Sequence, residues 1–304
     1  MKVQQLSILE IADKLTKNGL VIQVGVFSYS IQTKYSSIAE SISILYADFE
    51  ILNNEDAFID FHVSIEPANI ISKFIHRKAQ FLSDGFPLFN PLPFQHAPAI
   101  IEWGMNWCVS SQINTHLIIH AAVIEKSGYA AILPAPPGSG KSTLTAALIQ
   151  EGWRLLSDEL TIIDVENGRV APFPRPVSLK NQSIDIIKKR YPSVVFGPLS
   201  IDTTKGTVCH IKPPLFSVHQ QLLGCPVGWV IFPKYKQGKN AEITEISKGQ
   251  TLMDVADNSF NYSRLGSTGF DVLRKVIDGA DCYQFHYSNL DDAIVIFETL
   301  EPPE

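Results

Sequence analysis

The 304-residue sequence predicts an α/β protein in which a β-rich N-terminal domain of the α+β type precedes a larger domain of alternating strands and helices. Three observations carry this prediction. Residues 20–66 alternate apolar and polar side chains with period two, which is typical of strands. A glycine-rich loop at 135–143 lies between an apolar strand-like run and a proline-free helical run. Beyond this loop, strand-like and helical runs alternate to about residue 300.

The N-terminal domain is predicted to consist mainly of antiparallel strands. Its strand-like runs are VIQVGVFSYSIQTKYSS, ISILYADFEI and FIDFHVSI, and Asn53–Asp56 marks a turn. A proline-rich connector follows at 81–98, and the run AIIEWGMNWCVSSQI then predicts a helix with Ile100, Ile101, Trp103 and Trp107 as its apolar set. Because the pattern changes after this helix, we expect a domain boundary near residue 112, with domains 1–112 and 113–304.

The glycine-rich loop reads APPGSGKST and nearly matches the Walker A pattern G-x-x-x-x-G-K-[ST], with Ala135 at the place of the first glycine. Such a loop turns backbone N–H groups toward phosphate at the positive end of a helix. Its lysine supplies charge to the outer phosphates, and the following hydroxyl is a Mg²⁺ ligand. We therefore expect a site for ATP and Mg²⁺. The residues predicted to hold the nucleotide are Pro137, Gly138, Ser139, Gly140, Lys141, Ser142 and Thr143.

A Mg²⁺-dependent loop of this kind needs a carboxylate at the end of a neighbouring strand. Asp158 and Glu159 end the run WRLLSDE, and Asp164 ends LTIID. We favour Asp158, because a second carboxylate follows it and one short helix separates it from the loop. Asp164 leads into a turn and is expected to be a solvated turn residue. Glu159 is either a ligand or a structural residue, since it points to the other face of the strand if the strand continues. Ser142, Asp158 and Glu159 are thus the predicted metal ligands.

The order of His120, APPGSGKS and LLSDE, followed by the proline-rich PFPRPVSLK, resembles the catalytic domain of bacterial HPr kinase/phosphorylase. The resemblance covers about residues 117–180 well and the rest, to about residue 300, weakly. It implies a P-loop fold akin to phosphoenolpyruvate carboxykinase and phosphoryl transfer to a serine hydroxyl. It also implies that Asp158 is the catalytic base and that His120 belongs to the site. Since HPr kinases are oligomeric, it further implies a homo-oligomer.

The sequence departs from this family at three points. Ala135 replaces a loop glycine, Glu159 replaces the second residue of an Asp-Asp pair, and the glycine-rich "ExRGLG" segment has no good copy. The later stretches TTKGTVCHIKPP, FPKY, SFNYSRLGSTGF and YSNLDDA resemble the subgroup called HPr-related kinase A. We therefore expect the acceptor to be a serine-bearing peptide or small protein other than HPr. A small-molecule kinase and a nucleotide-binding regulatory module without transfer remain as alternatives.

Three further cations are candidates for contacts with phosphate or with a substrate carboxylate. Arg175 and Lys180 belong to the proline-rich PRPVSLK, and Lys205 belongs to a glycine-containing loop. The structural reading of each is a solvated surface cation.

Composition excludes several other classes of function. The net charge is −6 and no basic stripe occurs, so no nucleic-acid partner is expected. No apolar run reaches the roughly 18–20 residues that span a bilayer, so no membrane partner is expected. The four cysteines, Cys108, Cys209, Cys225 and Cys282, lack CxxC spacing, which favours a reduced cytoplasmic setting over a disulfide framework or a zinc site.

Overall fold

The computed structural model describes residues 1–53, 57–68, 77–136 and 138–302. Within these ranges the protein is a mixed α/β molecule with several sheets. Its helices are α1 (Ile8–Lys17), α2 (Ser36–Leu45), α3 (Ala97–Gln112), α4 (Lys141–Leu148), α5 (Gln182–Arg190), α6 (Leu215–His219), α7 (Lys248–Asp257), α8 (Tyr262–Leu265), α9 (Ser267–Asp278) and α10 (Leu290–Glu298). Its strands are β1 (Leu20–Val24), β2 (Phe27–Thr33), β3 (Phe61–Pro67), β4 (Lys78–Ser83), β5 (Phe86–Pro87), β6 (Leu92–Pro93), β7 (His116–Ile119), β8 (Ala121–Lys126), β9 (Tyr129–Pro134), β10 (Arg154–Ser157), β11 (Thr161–Asp164), β12 (Val170–Ala171), β13 (Val177–Lys180), β14 (Ser200–Thr203), β15 (Gly206–Ile211), β16 (Val227–Tyr235), β17 (Glu242–Glu245) and β18 (Asp281–Tyr287).

The chain divides into two compact units that are not continuous in sequence. Unit 1 comprises Met1–Val109 and Arg175–His219, and unit 2 comprises Ser110–Pro174 and Gln220–Glu304. The division into domains 1–112 and 113–304 stays a prediction, but residues 175–219 group with the N-terminal unit in this structure. A deletion of residues 1–110 would therefore leave 175–219 without the rest of its unit.

The larger sheet of unit 1 has the strand order β1-β2-β3-β4-β5, with β6 also paired to β4. The expectation of antiparallel pairing throughout is wrong at one place, because β2 and β3 are parallel. A parallel pair needs a crossover connection, and α2 lies in it. The strand expected at ISILYADFEI is also wrong, since α2 occupies its first half. Ile38, Ile42 and Leu45 are buried at helical spacing, which explains this outcome.

Helix α3 packs against the same sheet through a glycine. A Cβ atom at Gly104 would lie 2.1 Å from the ring of Phe81, so only glycine permits this approach. Ile100 and Ile101 are buried as expected, whereas Trp107, expected in the same apolar set, is exposed.

The main sheet of unit 2 has the strand order β10-β8-β9-β16-β18-β17. Strands β9, β16 and β18 are parallel to one another, and β8 is antiparallel both to β9 and to β10. Consequently β9, β10, β16 and β18 all end at one edge, which we call the carboxyl edge. One face of the sheet carries an apolar cluster that joins Ile132 and Val230 to Val255 of α7 and Leu273 of α9. This core fixes the strands that position the candidate site.

A buried ion pair joins residue 175 to α3 within unit 1. Arg175 donates hydrogen bonds to the carboxylate and, at 2.8 Å, to the backbone oxygen of Glu102. The hydroxyl of Tyr46 donates to the same carboxylate at 2.9 Å. Burial acts to lower the pKa of Arg175, but Tyr46 and Glu102 outweigh it and raise this pKa above its usual value. The guanidinium is therefore held in its charged form.

We expect Glu102→Gln to destabilise unit 1 by about 3–5 kcal/mol, because it leaves a buried guanidinium without its counter-charge. The free energy of unfolding in urea, followed by circular dichroism, measures this loss. The control is Asp278→Asn, which breaks the exposed Arg274–Asp278 pair at 3.0 Å and should cost less than about 0.5 kcal/mol. Equal losses in the two variants would contradict a stabilising role for the buried pair.

Candidate functional site

The glycine loop, residues 135–143, connects the end of β9 to the start of α4. Gly138 and Gly140 have φ values of 85° and 88°, in the left-handed region that favours glycine. Between them, the amide of Ser139 donates to the oxygen of Pro136 at 3.3 Å and closes a turn. Pro137, predicted to contact nucleotide, lies outside the described residues. The loop thus delivers the chain directly to the N-terminus of α4, where the first amides of a helix have no partner within the helix.

Two tyrosines from neighbouring strands fix this loop. The amide of Tyr235, the last residue of β16, donates to the oxygen of Ser139 at 2.9 Å. The hydroxyl of Tyr287, the last residue of β18, donates to the oxygen of Gly140 at 3.1 Å. A Cβ atom at Gly140 would lie 2.5 Å from that hydroxyl. Glycine is therefore required here by backbone conformation and by space.

The polar side chains of the loop combine a buried charge with an unsatisfied hydroxyl. Lys141 begins α4 and is 8% exposed. A cation at the positive end of a helix is unfavourable, and a bound anion would offset this cost. The buried hydroxyl of Ser139 has no hydrogen-bond partner among the described residues. Ser142 and Thr143 are partly exposed in the first turn of α4. These features fit a phosphate group and its metal ion.

Sheet register brings Asp158 and His120 to the same edge as the loop. Asp158, 4% exposed, directly follows the last residue of β10, and Glu159 after it is partly exposed. His120 precedes β8, whose first residue, Ala121, pairs with Pro134 immediately before the loop. The His120 amide donates to the oxygen of Asn258 at 2.7 Å, and its half-buried ring packs against Phe260 at 5.7 Å. The carboxyl edge therefore gathers a base candidate, an imidazole and the glycine loop.

Asp164, the other candidate aspartate, has a structural role in a turn. The carboxylate of Asp164 accepts hydrogen bonds from the amide of Glu166 at 2.7 Å and from the side chain of Asn167 at 2.9 Å. Asp164 thus stabilises the turn after β11.

The three candidate cations Arg175, Lys180 and Lys205 belong to unit 1, whereas the glycine loop belongs to unit 2. The guanidinium of Arg175 is engaged by Glu102, Tyr46 and Asn106, which favours a structural role. Lys180 ends β13, and its amide donates to Ser183 at 2.8 Å. The exposed Lys205 lies between β14 and β15, with its ammonium 5.0 Å from the ring centre of Trp103. Their predicted contacts with phosphate stay predictions.

Sequence reasoning missed Tyr235 and Tyr287 as residues of this site. Tyr235 ends the strand-like run VGWVIFPKY, and Tyr287 is the penultimate residue of CYQFHYS. The stretches FPKY and YSNLDDA, which contain these tyrosines, contribute to the prediction only through their resemblance to a subgroup of kinases. Their aromatic character at strand ends was the available signal, but only the sheet order shows that these ends adjoin the loop.

The described residues contain no group of three His, Cys, Asp or Glu side chains that could hold a metal ion. This does not conflict with the predicted Mg²⁺ ligands, because protein-bound Mg²⁺ commonly uses one or two carboxylates together with substrate phosphates and water. Across the same described ranges, no helix has both the length and the apolar character to span a bilayer.

No protein-family model matches this chain, and no curated protein matches it. Among solved structures, the chain is similar to the Hpr(Ser) kinase/phosphatase from Coxiella burnetii, with 13% sequence identity and a TM-score of 0.27. The match covers 60% of this chain and 92% of that one. At this identity and TM-score, the match establishes neither a family nor a shared fold.

We expect Gly140→Ala to destabilise unit 2 by about 2 kcal/mol or more, because a left-handed alanine costs about 1–2 kcal/mol and its Cβ would also strike the Tyr287 hydroxyl. Removing this hydroxyl with Tyr287→Phe should reduce the cost of Gly140→Ala. Unfolding in urea measures both effects.

The matched control is Gly128→Ala, at φ 87° in the β8–β9 turn, where an added Cβ meets nothing within 4 Å. The loss of stability in Gly128→Ala measures only the cost of a left-handed backbone at alanine. If Gly140→Ala costs no more than Gly128→Ala, the close contact with Tyr287 is not a constraint on the loop.

Proposed function

We propose that the protein is a kinase that binds ATP and Mg²⁺ at the glycine loop and transfers a phosphoryl group to a serine hydroxyl of a peptide or small protein. The observation that carries the proposal is the loop itself. Two left-handed glycines join a parallel strand to a helix N-terminus that begins with the buried Lys141. A buried aspartate follows a strand that ends at the same edge of the sheet.

The loop residues support binding of the triphosphate. The N-terminus of a helix suits phosphate oxygens, because its first amides have no partner within the helix, and the Lys141 ammonium adds a charge to this positive end of α4. The Ser139 hydroxyl is buried beside them without a partner among the described residues, as expected of a donor reserved for ligand. Ser142, Asp158 and Glu159 are the proposed holders of Mg²⁺, which would offset the charge of the phosphates.

The buried carboxylate of Asp158 supports the transfer step. In this proposal it takes the proton of the acceptor hydroxyl while the hydroxyl oxygen bonds to the terminal phosphorus. The bond from that phosphorus to the bridging oxygen of ADP breaks, and ADP carries away the electron pair. Lys141 stabilises the charge of the transferred group. His120, at the start of β8, has a positioning role toward Asp158 or the acceptor.

The thiols support the cellular compartment that we propose for this activity. All four cysteines are free and buried. This supports a reducing compartment, and we place the activity in the cytoplasm.

We expect Lys141→Ala to abolish binding of Mg·ATP in a calorimetric titration, because the variant loses the loop's only lysine. Lys275→Ala is the matched control, since Lys275 is an exposed lysine in α9 of the same unit. Equal affinities for Mg·ATP in the two variants would refute the loop as the nucleotide site.

We expect Asp158→Asn, at saturating Mg·ATP, to slow transfer of labelled phosphate to serine peptides by about 100-fold or more, the usual contribution of a general base. Asp164→Asn, at the turn carboxylate, is the matched control and should transfer at the wild-type rate. Unchanged transfer in Asp158→Asn would rule out this base.

Two outcomes with the wild-type protein would replace the proposal. Tight binding of ATP without transfer to any acceptor would identify a nucleotide-binding regulatory module. Transfer to metabolites but to no peptide would identify a small-molecule kinase.

A further inference from the structure

Tyr235 occupies a fixed position directly beside the glycine loop. Its amide donates to the oxygen of Ser139 at 2.9 Å, and the next amide, of Lys236, donates to the oxygen of Tyr287 at 2.8 Å. The backbone of Tyr235 and Lys236 is thereby bonded both to the loop and to the end of β18. Its Cβ lies 3.2 Å from the position that a Cβ at Gly140 would take. The side chain of Tyr235 thus starts beside Gly140.

The ring of Tyr235 is supported from behind and open to solvent in front. It meets the ring of Tyr287 edge-on, with centroids 5.8 Å apart and an interplanar angle of 80°. Tyr287 is itself stacked on the buried Phe285 at 5.3 Å and anchored to Gly140 through its hydroxyl. Nevertheless, Tyr235 is 49% exposed. A planar ring on a rigid support, with open surface, suits stacking by another planar group.

The order of strands indicates which part of a nucleotide would reach this ring. Asp158 follows β10, on one side of β9, whereas Tyr235 ends β16, on the other side. A triphosphate on the loop that presents its terminal phosphate toward Asp158 therefore directs its nucleoside toward β16. The open ring of Tyr235 lies at the end of that strand.

We propose that Tyr235 is the base-stacking residue of the nucleotide site. The inference rests on the proposed function, because it takes the loop as the triphosphate site, and it extends that function to the nucleoside. The ligand class is a nucleoside triphosphate with a purine base, since a purine offers the larger stacking surface.

The test compares Mg·ATP with Mg·tripolyphosphate, which has the phosphates but no base. Tyr235→Ala should weaken ATP binding roughly tenfold, as expected for loss of one aromatic–base stack. It should leave tripolyphosphate binding unchanged, whereas Tyr235→Phe should bind ATP like the wild type. Tyr235→Trp adds a direct readout, because its fluorescence should change on addition of ATP and not on addition of tripolyphosphate.

Phe270→Ala is the matched control, since Phe270 is an exposed aromatic residue of α9 in the same unit, at 44% exposure. It should bind both ligands like the wild type. If Tyr235→Ala binds ATP as tightly as Phe270→Ala does, or loses ATP and tripolyphosphate equally, the stacking role is refuted while the loop remains a phosphate site. If the wild-type protein binds neither ligand, the proposed function fails as well.

Discussion

The left-handed backbone at Gly138 and Gly140 is the constraint on which the carboxyl edge of unit 2 depends. It lets the chain pass from a buried strand straight into the N-terminus of α4. The carbonyl groups of the loop are bonded to the amide of Tyr235 and the hydroxyl of Tyr287. The bonds that hold the loop therefore also bring the ends of β16 and β18 to it, and the order of the sheet determines which side chains surround the loop.

The position of β8 in the strand order sets the distance between the ends of β9 and β10. Because β8 lies between β9 and β10, Asp158 follows a strand two positions from the one that precedes the loop. With strands about 4.8 Å apart, the ends of β9 and β10 are separated by about 10 Å. This is the separation of the two strand ends at the carboxyl edge, set by the one strand between them.

The parts of the site that follow from local pattern could be predicted from the sequence, and the parts that follow from sheet order could not. The strand, loop and helix around Lys141 are contiguous, so residue type and spacing sufficed. Tyr287 lies 147 residues from Gly140, and no periodicity reports that contact. Helix α2 was missed because its isoleucines have high strand propensity, although their burial follows the helical period. The ion pair of Arg175 could not be predicted, because its partner, Glu102, lies 73 residues away.

The segment that precedes Arg175 contains the point at which the chain passes from one compact unit to the other. The segment APFPRP alternates prolines with Ala171, Phe173 and Arg175. Because proline has no backbone N–H, this segment offers few hydrogen-bond donors, and individual residues attach it to the rest of the protein. The amide of Phe173 donates to the oxygen of Leu156 in β10, within unit 2. Two residues later, Arg175 forms its ion pair with α3, within unit 1. The chain thus changes unit at Pro174. Sequence alone predicts a phosphate contact for a cation shortly after the Asp158 strand, and the structure adds the buried carboxylate of Glu102 as a partner of Arg175 within unit 1.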